Sequence, residues 1–148
     1  MTPTSRALIA GAAGASALNA VTYLDMAVRA RPASSAGEDS VGQLADLAHV
    51  DLGNQQTAET RKSGLGPLLG YATSVTAAAI FTAAGGRRLS TPVSALALTG
   101  LAMLASNAPM TALKVTDPRS WSAADWVTDL VPHLAYGAVT AVALKALR

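Results

Sequence analysis

The chain has 148 residues, of which 51% are hydrophobic and only 14% are charged, and its mean hydropathy is +0.33. This composition excludes a disordered chain and argues against a water-soluble globular domain. The absence of cysteine excludes disulfides, thiolate metal ligands and thiol catalysis. The net charge is +2, but the 11 basic residues are scattered without a basic stripe, which argues against nucleic-acid binding.

Four long stretches of the chain carry no charge. They lie between Arg6 and Asp25, Lys62 and Arg87, Arg88 and Lys114, and Asp129 and Lys145. The first three reach the length of about 20 residues that a helix needs to cross a bilayer. The fourth reaches it because its helical pattern begins earlier, at a capping box over residues 122–125. We predict an all-α, polytopic membrane protein with four transmembrane helices in a small bundle, at about 6–27, 64–85, 91–113 and 123–146.

Two alternatives remain open for these stretches. A soluble, alanine-rich bundle would need a charged face on each helix, and the second and third stretches have none. The first stretch, followed by small residues near Ala30, also fits a cleaved secretory signal. Asn19 and Asp25 continue its helix into a charged end, which favours a retained first helix.

The charged residues divide between the two sides of the predicted membrane. The side that holds both termini carries only basic residues: Arg6, Arg87, Arg88, Lys145 and Arg148. The opposite side carries all nine acidic residues together with six basic ones. Because basic residues close to span ends mark the cytoplasmic side, we predict an inner cell membrane protein with both termini in the cytoplasm.

The extramembrane segment 32–62 is predicted to contain one short amphipathic helix. Residues 40–52 begin with a capping-box pattern, Ser40 to Gln43, and carry apolar residues at helical spacing. We expect this helix to lie on the membrane surface or over the mouth of the bundle. The following Gly64-Leu65-Gly66-Pro67 is predicted to form a tight turn before the second span.

Small residues are expected to hold the bundle together, because the hydrophobic effect does not drive helix association in lipid. The first span places Gly11, Gly14 and Ala15 on one face. We predict that this face packs against the other helices.

The fourth span carries the most suggestive polar groups. Asp129, His133 and Tyr136 recur at helical spacing, and Asn19 and Asn107 lie at similar depth, so one hydrogen-bonded cluster is expected. An Asp and a His one turn apart can exchange a proton, which indicates a proton or cation path. The alternative is structural, with the carboxylate near the helix start orienting the imidazole.

No catalytic motif is evident: GxSxG, HExxH, the P-loop and a GxGxxG between strand and helix are all missing. We predict no cofactor and no metal site, and the missing catalytic motifs predict that the protein is not an enzyme. A lipid-modifying enzyme that uses Asp117, Arg119 and His133 ranks last. The leading interpretation is a structural or accessory component of a larger membrane assembly, whose partners are membrane lipids and other membrane subunits or further copies of the chain. A small transporter using Asp129 and His133 is the alternative.

Three segments carry a family resemblance: residues 116–137 (TDPRSWSAADWVTDLVPHLAYG), 19–34 (NAVTYLDMAVRARPAS) and 64–71 (GLGPLLGY). They resemble a group of small multi-span membrane proteins of actinobacteria that are mostly uncharacterised. The first helix and the HLAYG stretch are also similar to YagU-like inner-membrane proteins. The resemblance implies a four-helix membrane protein and no particular activity.

Overall fold

The structure, a computed structural model, describes residues 1–147 except for the side chain of Arg87. Arg148, assigned above to the side of the termini, lies outside the described residues. The described chain has no strand and folds into five α-helices: α1 Pro3–Arg29, α2 Ala36–Leu47, α3 Gln55–Ala83, α4 Thr91–Ala112 and α5 Ala123–Ala146. The prediction of an all-α fold is confirmed. All except α2 are long and apolar enough to cross a membrane.

The four long helices form a closed ring of neighbours. Helix α1 packs between α3 and α5, and α4 packs against the same two helices. Successive long helices run in opposite directions. Residues 1–6, 84–90 and 145–147 therefore meet at one end of the bundle, called here the terminal side, and residues 30–54 and 113–122 meet at the other end, called the loop side.

Local sequence sets where these helices begin. Thr2, Asn54 and Ser122 each accept a hydrogen bond from the backbone N–H three residues further on. The Asp125 carboxylate accepts a bond from the Ser122 backbone N–H in return, so the capping box predicted for the last helix is confirmed.

The core is confined to the terminal-side half of the bundle. Its buried apolar residues form one cluster: Ala10, Ala77, Phe81, Leu98, Ala102, Tyr136, Ala141 and Leu144. Towards the loop side, no described residue of α1 beyond Ala15, of α4 beyond Ala102 or of α5 before Pro132 is buried. The helices are therefore tightly packed at one end of the bundle and loosely packed at the other.

The segment before the second span differs from the prediction. Helix α3 begins at Gln55 and runs without a break through Gly64, Gly66 and Pro67, so the predicted tight turn is wrong. A proline inside a helix removes one N–H donor but need not end the helix when neighbouring elements support it. Residues 55–63 extend α3 beyond its apolar part by about 13 Å at roughly 1.5 Å per residue.

Helix α2 stands against this extension and runs antiparallel to it. A Cβ on Gly37 would lie 3.5 Å from Gly66, and one on Gly42 would lie 3.6 Å from the Lys62 side chain. Farther from the bundle, Arg61 Nη1 donates to the Leu52 carbonyl at 3.0 Å. Helices α2 and α3 therefore form an upright helical hairpin, and the prediction of a helix lying flat on the membrane or over the bundle mouth is wrong.

The predicted capping box of α2 is also wrong. The helix begins at Ala36, and the Ser40 hydroxyl donates within the helix to the Ala36 carbonyl at 2.7 Å. Val41 and Ala45 do face α3 and are buried. A helix start four residues earlier places Ser40 on the buried face instead of at the cap.

Candidate functional site

Asn107 of α4 and Asp129 of α5 meet at the loop-side half of the bundle. The Asn107 side-chain amide donates to Asp129 Oδ2 at 2.9 Å, and both side chains are partly buried. Asp129 lies on the second turn of α5, where Thr128 faces α1 and Asp129 faces α4. This is an interhelical contact between two of the residues that the sequence placed in one cluster.

His133 lies one turn further along α5 and is buried. Its Nδ1 is 2.7 Å from the Asp129 backbone carbonyl and 3.5 Å from Asp129 Oδ1. A carbonyl oxygen only accepts hydrogen bonds, so in the neutral ring Nδ1 carries the proton and Nε2 is an acceptor. Nε2 faces the Ser106 hydroxyl of α4 at 3.4 Å. Asn107, Asp129, His133 and Ser106 thus form one short polar network between α4 and α5, called here the α4–α5 network.

Tyr136 does not belong to the α4–α5 network. Its ring is fully buried, and its hydroxyl donates to the Ser74 backbone carbonyl of α3 at 2.6 Å. Because α3 lies opposite α5 in the ring of helices, this side chain crosses the centre of the bundle. The sequence spacing placed Tyr136 on the correct face of α5 but gave no sign of its distant partner.

Asn19 also stays outside the α4–α5 network. Its side chain is half-buried on α1 and makes no hydrogen bond among the described residues. Asp117 and Arg119 lie in the loop before α5, where the guanidinium binds both carboxylate oxygens at 2.9 and 3.0 Å. This bond holds the pKa of Asp117 below its ordinary value and raises that of Arg119. No hydrogen bond in the described chain joins this pair to His133.

The three small residues predicted for helix packing lie on the buried face of α1. A Cβ on Gly11 would be 2.8 Å from Val75 Cα in α3, and one on Gly14 would be 2.0 Å from Thr140 Oγ1 in α5. Ala15 is also buried. These positions bring the backbone of α1 close to both of its neighbours.

The structure contains a second polar group, at the end of α1, that was not predicted from the sequence. At the loop-side end of α1, Arg29 and Arg31 both bind the Asp25 carboxylate, and Arg29 also reaches Thr128 of α5. The four-residue spacing of Asp25 and Arg29 is a usual signal for an ion pair on a helix. Arg31 carries no such signal, because it joins the pair only after the helix has ended.

A small cleft between described residues lies on the terminal side. It is lined by Phe81, Ser94 and Leu144 among others, and it has room for about one water molecule. Within residues 1–147, no group of three or more His, Asp or Glu side chains is placed to hold a metal ion. Comparisons of the chain with protein-family models, curated proteins and solved structures find no match.

Proposed function

We propose that the protein is a structural or accessory component of a larger assembly in the inner cell membrane, with both termini in the cytoplasm. The observation that carries this proposal is the loose loop-side half of the bundle. Along the loop-side parts of α1, α4 and α5 no described residue is buried, so a helix of a partner subunit has free surface to pack against.

Two exposed glycines support the same proposal. A Cβ at Gly70 of α3 or at Gly100 of α4 would meet no atom of the chain within 4 Å. A glycine inside a helix lowers the stability of the helix by about 1 kcal/mol relative to alanine. Neither glycine makes a close contact within this chain that would offset this loss. In membranes, glycine is favoured where the backbone of a second helix approaches.

Native electrophoresis of gently solubilised membranes tests this proposal. The wild-type chain should migrate far above its own mass of 14.9 kDa, and mass spectrometry of the band should identify a second protein or several copies of this chain. Gly70→Leu should shift the band to lower mass, because its side chain covers the exposed backbone of α3 that a second helix would approach. Ala138→Leu, at an exposed site on α5, is the matched control and should not. A lone low-mass band for the wild type would contradict an accessory role.

The α4–α5 network favours a second candidate function, a small proton or cation transporter. Asp129 and His133 supply two groups that can bind a proton, and Ser106 and Asn107 extend the network into α4. The flux of protons or cations, measured in proteoliposomes, should fall when Asp129→Asn and His133→Gln are combined. Flux that the double substitution leaves unchanged would remove this candidate.

A further inference from the structure

Two arginines share one carboxylate at the loop-side end of α1. Arg29 Nε lies 2.7 Å from Asp25 Oδ1, and Arg29 Nη2 lies 2.7 Å from Asp25 Oδ2. Arg31 Nε binds the same Oδ2. Arg29 Nη2 also lies 2.7 Å from the Thr128 hydroxyl, so the cluster spans the seam between α1 and α5. Asp25, Arg29, Arg31 and Thr128 are called here the rim cluster.

The rim cluster carries one positive charge that its own members do not neutralise. Asp125 and Asp129 of α5 bond Ser122 and Asn107, and neither carboxylate bonds Arg29 or Arg31 within the described part of the chain. Arg29 Nη1 and Arg31 Nη2 make no hydrogen bond within the described part of the chain. Arg31 Nη1 donates to the Pro32 carbonyl at 3.3 Å, so each guanidinium keeps one terminal nitrogen whose N–H groups can donate to a phosphate oxygen.

The backbone is arranged to bring Arg31 into the rim cluster. Ala30 ends α1 in the left-handed region, with φ 51° and ψ 36°, and the Arg31 N–H donates back to the Met26 carbonyl at 3.2 Å. This turn folds the chain over the helix end, so that Arg31 approaches Asp25 from beyond the helix. A left-handed alanine costs about 1–2 kcal/mol, a cost that the Arg31 contact helps to offset.

Exposed apolar residues neighbour the rim cluster on both helices. Leu24 and Val28 flank Asp25 and Arg29 in sequence and are 64% and 76% exposed. On α5, Val131 is exposed. It lies one turn after Thr128, farther from the loop-side end of the helix. In a membrane this combination places a cationic group at the headgroup level and an apolar surface beside it for an acyl chain.

We propose that the rim cluster binds the phosphate of an anionic phospholipid, with Arg29 and Arg31 on the headgroup and an acyl chain along Leu24, Val28 and Val131. A free phosphate ion would satisfy the two guanidinium groups but would leave the apolar surface unused. The proposal does not depend on the accessory role, because a lipid can occupy this seam in an isolated protein as well as in an assembly.

Native mass spectrometry of the purified full chain in detergent tests the proposal with phosphatidylglycerol as the probe. We expect one tightly retained lipid. Arg31→Gln should lower its occupancy by about fivefold, because an arginine at the membrane surface contributes about 1 kcal/mol to the binding of an anionic lipid. Arg29→Gln is the second variant and should act in the same direction. Thermal unfolding without added lipid shows whether each variant is folded.

Arg119→Gln is the matched control, since it removes the same charge from the same side of the molecule at an exposed residue. It should leave lipid occupancy unchanged. An equal loss in this control would show general charge attraction and overturn the proposal, as would full retention of lipid in both Arg31→Gln and Arg29→Gln. Phosphatidylcholine bound equally well would overturn the requirement for an anionic headgroup. If the site bound inorganic phosphate but retained no phosphatidylglycerol, it would be a site for a free anion, and the proposal of a bound lipid would be overturned.

Discussion

Two glycines of the bundle lie where a methyl group would collide with a threonine hydroxyl. A Cβ on Gly14 would be 2.0 Å from Thr140 Oγ1, and one on Gly137 would be 2.2 Å from Thr99 Oγ1. The glycines thus let the backbones of α1 and α4 approach α5 so closely that Cα–H groups lie against hydroxyl oxygens. Such weak Cα–H···O contacts recur at helix–helix interfaces, and they tie α5 to both neighbours in the ring.

The smallest possible enlargement of Gly14 should therefore destabilise the bundle. Gly14→Ala places its methyl group on Thr140 and also 2.7 Å from the Tyr136 ring. We expect a loss of about 1–3 kcal/mol, the usual cost of overpacking, measured as unfolding by SDS in mixed micelles. Gly100→Ala, whose methyl group meets no atom within 4 Å, is the control and should be neutral or slightly stabilising. Equal stability of the two variants would contradict this close approach.

Ala30 allows a second test at a single residue. Its positive φ suits glycine better than alanine, so Ala30→Gly should stabilise the protein by up to about 1 kcal/mol. Ala27→Gly, three residues earlier on an exposed face of α1, should destabilise it by about 1 kcal/mol. The same unfolding assay compares them, and effects of the same sign would show that α1 does not end at Ala30.

At the scale of elements, the helical hairpin of α2 and α3 depends on two facing glycines. A Cβ on Gly66 would lie 3.1 Å from the Gly37 carbonyl carbon and 3.2 Å from the Glu38 nitrogen. Both neighbouring atoms belong to the backbone, so only a shift of α2 as a whole could accommodate a larger residue. At Gly66 the backbone of α2 lies against α3, whereas a Cβ on Gly42 would meet only the Lys62 side chain.

Gly66→Leu should detach α2 without unfolding the four long helices. Hydrogen exchange should then accelerate at the amides of Ala36–Leu47 while those of α1 and α5 remain protected. Gly64→Leu adds the same side chain two residues away, where a Cβ meets no atom within 4 Å, and should leave exchange unchanged. Unaltered protection of α2 in both variants would contradict the hairpin.

The sequence predicted the elements that depend on local signals. It missed the features that depend on packing between helices. Burying a charge in hydrocarbon is costly wherever it occurs, so charge-free stretches show where the long helices lie. The start of α2 was misplaced because Ser40 fits a cap and a buried helical position equally well. The predicted turn at Gly64–Pro67 was wrong because these residue types favour a turn only locally. In the folded chain α2 packs against α3 at Gly66 and the helix continues, a contact that the local sequence does not reveal.

In the candidate site, too, contacts within one helix were predictable from the sequence and contacts between helices were not. Helical spacing brought Asp129 and His133 together because they lie one turn apart on the same face of α5. Partners on other helices depend on how each helix is rotated, and a single sequence does not specify that rotation. Tyr136 therefore pairs with Ser74 rather than with the α4–α5 network, and Arg31 joins the rim cluster through the turn at Ala30.

At the scale of the whole molecule, packing and charge are distributed unevenly along the bundle axis. The tight core lies towards the terminal side, while the loop side carries the hairpin and the acidic residues. The packed end holds the four helices together, and the partner subunit and the lipid proposed above would contact the other end. Which end faces the cytoplasm decides which compartment can supply those partners.

The absence of native cysteine makes the orientation directly measurable, because one introduced thiol is the only reactive thiol in the chain. Gln56→Cys lies at the exposed start of α3, on the loop side, and Ser90→Cys lies in the exposed turn before α4, on the terminal side. With both termini cytoplasmic, a membrane-impermeant maleimide should label position 56 in intact cells and position 90 only after the membrane is opened. The reverse pattern would invert the orientation, and labelling of both positions in intact cells would contradict the four-span arrangement itself.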